Sequence, residues 1–339
     1  MSEAGDYTPA AHWGGYDFKS ARREYDDHVV TSLKDAVTNR VDPKDMVPES
    51  LVCEAESPLV LAIDVTGSMG DWPATMFSKL PYLEHEGQEY LGEDMEISFA
   101  AIGDAHARDR YPLQVQKFVK GAGLKDSLKA LIIEGGGGGS SEESYDLAAL
   151  YYARNAEFPN AIRKPILVFV GDEGIYNYID STQANEWCYA DTGGKMIPAQ
   201  LFDELRQKYA VYIIRKPYGS GYGNARGSRD EAIQQQWEGF LGADHVVSLP
   251  EAARVVDVLF GILAKETGRI EYFEDELRDR QGKDKDGKHK IEVVLKSLHS
   301  VHKLPPASLK KLPAPGKSVT KRKDGDSKSK SKKSKSLLD

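Results

Sequence analysis

Three short stretches of this chain carry oxygen donors at spacings that suit a hard cation. The first is Asp64-Val65-Thr66-Gly67-Ser68, a carboxylate followed by two hydroxyls at intervals of two. In the second, Gly135-Gly136-Gly137-Gly138-Gly139-Ser140-Ser141, five glycines lead to one or two hydroxyls. The third is Gly171-Asp172-Glu173-Gly174, with a carboxylate directly after an apolar run. Carboxylate and hydroxyl oxygens suit Mg²⁺, Mn²⁺ or Ca²⁺ better than zinc or copper. Each stretch also has a plainer reading. Ser68 suits a helix cap, Ser140 with Glu143 or Ser141 with Ser144 a capping box, and Asp172 the cap of a following helix. Five glycines exceed what a cap requires, however, and they let backbone approach a ligand closely.

The elements that must position these residues are legible from hydropathy. Leu59 to Ile63 runs straight into Asp64, and Ile166 to Val170 into Gly171-Asp172, as buried strands emptying into loops do. Strands are expected at 59–65, 96–104, 113–119, 166–170, 210–215 and 245–249, the third alternating in period two like a half-exposed edge. Between them lie helical patterns at 72–84, 124–133, 199–209, 229–240 and 251–267. A further one has Tyr145, Ala148, Ala149 and Tyr152 on one face. Strands alternating with helices predict an α/β fold, a doubly wound, mostly parallel six-stranded sheet flanked by helices. Ligands of such sheets sit at the carboxyl ends of the strands, where the strand order reverses. The two most apolar strands, 59–65 and 166–170, are the natural central pair, and both end in acids.

Composition sets the surroundings. The net charge of −8 hides an asymmetry, because residues 304–339 hold eleven Lys/Arg against three Asp/Glu and leave −16 on residues 1–303. An acidic body argues against a folded nucleic-acid platform. The organisation expected is an N-terminal arm over 1–54, the α/β domain over 55–268, a charged extension over 269–303 and a disordered Lys/Ser-rich basic tail over 304–339. Within the extension, a helix is expected over 271–280 and another element over 291–298. Cys53 and Cys188 have neither disulfide-framework nor zinc spacing. No apolar run approaches the ~20 residues of a membrane helix. The first residues lack the basic region and apolar core of a signal peptide. Cytoplasmic location is the resulting expectation. Gly219-Ser220-Gly221-Tyr222-Gly223 reads as a surface loop, since no ribose-binding acid accompanies it, and Asp104 with His106 as a solvated loop near the site.

Together the three stretches resemble the metal-ion-dependent adhesion site (MIDAS) of von Willebrand factor type A (vWA) domains. That family's pattern is Asp-x-Ser-x-Ser after the first strand, a Thr after a glycine-containing loop, and an Asp after the fourth strand. By position this gives Asp64, Thr66 and Ser68, then Ser140 or Ser141, then Asp172, within a resemblance covering residues 55–268. It implies a Rossmann-like sheet of order 3-2-1-4-5-6, with strands 59–65 and 166–170 side by side. It also implies bound Mg²⁺ (Mn²⁺ or Ca²⁺ as alternatives) and metal-dependent protein–protein interaction without catalysis, a partner's acidic residue completing the coordination. Cytosolic relatives often serve as adaptors of AAA+ ATPases, so the resemblance allows such a partner. There are departures. Thr66 stands for Ser, Ser for Thr, and Gly-Asp-Glu-Gly for Thr-Asp-Gly, where Glu173 adds a charge that would weaken the pull on a partner carboxylate. A second resemblance uses the same residues: the phosphorylation loop of P-type ATPases in the haloacid dehalogenase superfamily. It would make Asp64 a phosphoryl-accepting nucleophile of a Mg²⁺-dependent phosphohydrolase, but it lacks a convincing catalytic Lys motif and leaves the glycine loop without a role. A third reading is an RNA-associated protein with the tail as its nucleic-acid arm.

Overall fold

Alternate residues of the central strands pack on opposite sides, as period-two geometry requires. The computed structural model of the chain describes residues 32–136, 141–218, 224–283 and 285–302, and residue 11. Most of the expected arm, the tail over 304–339, Ser140 and the loop over 219–223 lie outside these residues. Six strands form the sheet: β1 (Ser57–Asp64), β2 (Met95–Ile102), β3 (Leu113–Val115), β4 (Ile166–Gly171), β5 (Ala210–Arg215) and β6 (Val246–Ser248). Their spatial order is β3-β2-β1-β4-β5-β6, parallel throughout except for the antiparallel edge pair β2/β3. The expected doubly wound, mostly parallel sheet is therefore present, and its order reverses between β1 and β4.

Leu59, Leu61 and Ile63 of β1, with Ile166, Val168 and Val170 of β4, enter one apolar layer. The helices Trp72–Ser78, Leu80–Leu91 and Val255–Thr267 cover that face. Val60, Ala62, Leu167 and Phe169 enter the other layer, beneath the helices Tyr145–Asn155, Pro198–Lys208 and Asn224–Leu241. Burial on both faces explains why β1 and β4 read as continuous apolar runs. Helices Ile270–Gln281 and Gly287–Ser297 fall where the extension was expected to be structured. They place Phe273, Leu277 and Val294 in the first layer. Among the described residues, no helix is long and apolar enough to cross a membrane.

Three local expectations change. The pattern at 72–84 forms two helices, Trp72–Ser78 and Leu80–Leu91. Pro81 has no N–H for the Phe77 carbonyl, and its ring crowds the preceding turn, so one helix cannot run through. Helix Ser181–Cys188 has no counterpart in the hydropathy reading; Asp180 caps it by accepting from the Thr182 and Gln183 amides. Edge strand β3 is shorter than expected and fully buried. Its polar Gln114 lies inside, donating from Nε2 to the Ile132 carbonyl (2.8 Å) and accepting from the Ile132 amide (2.7 Å). Alternation there reflects a buried side chain satisfying a loop, which period-two counting cannot tell from exposure. Gln114→Leu should destabilise the chain by about 2–4 kcal/mol in urea unfolding, because two buried backbone groups lose their partners. A loss no larger than that of an ordinary surface substitution would contradict this role.

Candidate metal centre

Register brings the carboxylates together. Ile63 pairs with Val170, so Asp64 at the end of β1 comes level with Gly171 at the end of β4, and Asp172 follows one residue on. Both acids are buried, with 0% and 1% of their surface exposed. Beyond β1 a tight turn over Gly67–Met69 folds the chain back over its own strand end. Asp64 Oδ1 accepts from the Thr66 amide (2.8 Å) and the Thr66 hydroxyl (2.6 Å). Thr66 Oγ1 lies 3.1 Å from Ser68 Oγ, and Ser68 Oγ donates to Asp172 Oδ1 (2.9 Å). Four side chains from two loops thus form one unbroken line of oxygens. Ser68 spends its hydroxyl on Asp172, and the helix at Trp72 has no side-chain cap, so the capping reading of Ser68 does not describe it.

The glycine stretch meets the site at both of its described ends. The Gly67 amide donates to the Gly136 carbonyl (2.8 Å), and the Gly174 amide to the Ser141 carbonyl (2.8 Å). A Cβ on Gly67 would stand 3.0 Å from the Gly135 carbonyl oxygen, so the two loops touch through bare backbone. Glu142–Glu143 then pairs with Gly174–Ile175, just past Asp172. This places Ser141 beside the β4 loop, while Ser140 lies outside the described residues. Ser144 precedes helix Tyr145–Asn155 without a side-chain cap bond. Its Oγ instead accepts from the Ala105 amide (3.0 Å).

Lys216 is absent from the sequence reading, and the roles of Tyr145 and Gly171 escaped it. Tyr145, counted there as part of an apolar helix face, donates its hydroxyl to Asp64 Oδ2 (2.7 Å). Gly171 makes that contact possible, because a Cβ at this position would lie 1.8 Å from the Tyr145 hydroxyl oxygen. Lys216, directly after β5, donates from Nζ to the Ser68 carbonyl and stands 3.4 Å from Asp172 Oδ2. Strand adjacency was the available signal: β5 neighbours β4, and Arg215 pairs with Gly171, so residue 216 arrives beside Asp172.

Electrostatics follow from burial. Asp64 is pushed up to about 7, first by desolvation and then by the charge of Asp172, against the lowering effect of the Thr66 and Tyr145 hydrogen bonds. Glu143 is pushed up to about 10 by desolvation and by the charges of Asp64, Asp104 and Asp109. Burial and mutual repulsion thus favour the protonated forms of these acids, and a positive charge placed among them would favour the ionised forms. The extra acid Glu173 is engaged elsewhere, accepting from the Tyr218 hydroxyl and facing Arg229 at 3.7 Å. Asp104, expected in a solvated loop, is buried and accepts from the Tyr176 hydroxyl (2.9 Å) and the His106 amide (2.9 Å).

Carboxylate and hydroxyl oxygens are the donor type that hard divalent cations take. Oxygens at 2.0–2.1 Å around an octahedral ion stand about 3 Å apart along each edge, and wider for Ca²⁺. The Asp64–Thr66–Ser68–Asp172 separations of 2.6, 3.1 and 2.9 Å are those of hydrogen-bonded oxygens, and they lie near such an edge length. Among the described residues no group of three or more His, Cys, Asp or Glu is placed to hold a metal. Here two carboxylates are joined by hydroxyls.

No family model matches the chain, and no curated protein does. Solved structures of the pilus adhesin SpaC from Lactobacillus rhamnosus GG are similar to it. One, in the open conformation, is 12% identical at a TM-score of 0.42 and covers 65% of this chain and 31% of the adhesin. A second structure of that adhesin is 11% identical at 0.43, covering 65% and 32%. The chain thus spans about a third of the adhesin's length, and a likeness this faint carries no weight about function.

Proposed function

We propose that the chain is a vWA-type interaction module that binds Mg²⁺ through Asp64, Thr66, Ser68, Asp172 and Ser140 or Ser141. The observation carrying this reading is the continuous, hydrogen-bonded line of carboxylate and hydroxyl oxygens from Asp64 to Asp172 at the ends of two adjacent strands. Its position where the strand order reverses supports it, as does backbone contact with both described ends of the glycine stretch. When bound, the ion would offer an electrophilic coordination position to a carboxylate. The protein's own residues hold the donors in place. Tyr145 fixes one oxygen of Asp64, Thr66 the other, and Ser68 links them to Asp172. Because the hydroxyls carry no charge, only two carboxylates oppose a dication, which leaves it attractive to an acidic residue of a partner protein. Arg229, 3.7 Å from Glu173, offsets part of the charge of that extra acid. An AAA+ ATPase served by this chain as an adaptor is one such partner. The cytoplasm is the compartment proposed; buried Cys53 and Cys188 suit it as unreactive thiols, Cys53 being pushed up to about 12 chiefly by desolvation.

Calorimetric titration of Mg²⁺ should show one site in the wild type and none in Asp64→Ala; unchanged binding would remove the metal from this place. A tagged chain should then retain its partner in Mg²⁺ and release it in EDTA, with Ser68→Ala behaving as EDTA does.

One observation favours the second reading, a phosphohydrolase with Asp64 as nucleophile. Lys216 supplies the cation near the carboxylates that the sequence reading lacked. Complete burial of Asp64, with hydrogen bonds on both oxygens, weighs the other way. Hydrolysis of a general phosphatase substrate, abolished in Asp64→Asn, would support that reading.

A further inference from the structure

Lys216 reaches the candidate metal centre from a third strand. Its amide donates to the Gly171 carbonyl (2.8 Å), which seats the residue beside the β4 loop. Its side chain then crosses to the β1 loop, where Nζ donates to the Ser68 carbonyl while lying 3.4 Å from Asp172 Oδ2. One ammonium therefore joins the same two loops that the oxygen line joins. Asp172 is divided between them, Oδ1 accepting from Ser68 and Oδ2 facing Lys216.

A positive charge in that position does for the protein what an ion would do. Two buried carboxylates with no counter-charge repel one another and oppose folding. Lys216 meets that negative charge on the Asp172 side. A dication held by Asp172 and Ser68 would face the ammonium across a few ångströms, where like charges repel strongly. The side chain is 27% exposed, and its flexible four-carbon stem gives the head a path to solvent.

We propose that Lys216 is an internal competitor of the divalent ion, resting on the metal-binding reading above. It closes the metal-free site by neutralising Asp172 and tying down the β1 loop, and it withdraws when the ion enters. Occupancy is then linked to the freedom of the Ser68 carbonyl and of the loop that carries Thr66 and Ser68. Metal affinity is set below what the oxygen donors alone would give, so the site fills only where divalent cation is plentiful.

The test is calorimetric titration of Mg²⁺ and of Mn²⁺ into the full chain, as wild type, Lys216→Met and Lys216→Arg. Lys216→Met keeps most of the stem and removes the charge; it should bind either ion about tenfold more tightly, while Lys216→Arg stays near the wild type. Affinity in Lys216→Met equal to or weaker than the wild type would overturn the competitor and leave the metal site standing. Absence of binding in all three proteins would overturn both readings. A second measurement needs no variant. Reductive methylation of Lys216 in the wild type, followed by peptide mass spectrometry, should accelerate when Mg²⁺ is added. An unchanged rate would show that the ammonium does not leave, and would overturn the proposal.

Discussion

Saturating Mg²⁺ is expected to raise the melting temperature of the wild-type chain by about 5–10 °C and to leave Asp64→Ala unmoved. The size follows from mass action. An ion at about 100 times its Kd adds about 2.7 kcal/mol, and a domain of this length gains about 2–4 °C for each kcal/mol. The effect also has a definite pH dependence. Asp64 is raised from 3.8 to about 7 in the folded chain by burial, then by Asp172. Between those values the metal-free folded chain keeps a proton that the unfolded chain has released. Its stability therefore falls as pH rises through about 7. The ion requires the ionised carboxylate, so its stabilisation should be full near about pH 8 and fade towards about pH 5. Scanning calorimetry in Mg²⁺ and in EDTA at both pH values checks this. Equal shifts in wild type and Asp64→Ala would place the stabilising ion elsewhere.

Gly171→Ala is the substitution with the largest expected effect for its size. A strand accepts alanine at little backbone cost, so the consequence is steric. The added methyl would stand 1.8 Å from the Tyr145 hydroxyl oxygen and 2.7 Å from its ring carbon Cζ. Tyr145 is itself fully buried, packed edge-on against Phe169 and Trp237 with ring centroids 6.0 and 5.3 Å away, and it has nowhere to retreat. Overpacking of this kind costs about 1–3 kcal/mol, and release of the hydroxyl from Asp64 adds about 1–3 kcal/mol for a buried charged acceptor left short of a partner. Denaturant unfolding should show a loss of about 2–6 kcal/mol in Gly171→Ala. On a Tyr145→Ala background the same change should cost almost nothing, since the atoms it strikes are gone. Additive losses would show that the two residues act independently.

The residues that form the oxygen line were visible in the sequence because their spacing is local. Asp64, Thr66 and Ser68 lie within five residues, and an apolar run before each acid marks a strand end regardless of what packs on it. The class of fold was legible for the same reason, since strands buried on both faces must be apolar throughout. Short-range patterns failed where a polar group had been taken inside. Gln114 counted as an exposed position because hydropathy reports a side chain's chemistry and says nothing of the Ile132 backbone that satisfies it. Tyr145 counted as apolar surface of its helix, since a ring fills a core equally well whether or not its hydroxyl finds Asp64.

What the sequence by itself determined is the donor chemistry: two carboxylates and a short series of hydroxyls, each at the end of an apolar strand or glycine loop. Tertiary structure decided how those oxygens are held and which side chains lie against them. Gly171 is only the start of an acidic loop until β4 lies beside β1 under helix Tyr145–Asn155, and Lys216 is one of 45 basic residues until β5 lies beside β4. The reason is physical. A strand's own composition sets whether it is buried, but its neighbours are chosen by how the whole sheet covers its two apolar faces. Contacts among Tyr145, Gly171 and Lys216 exist only once that choice has been made.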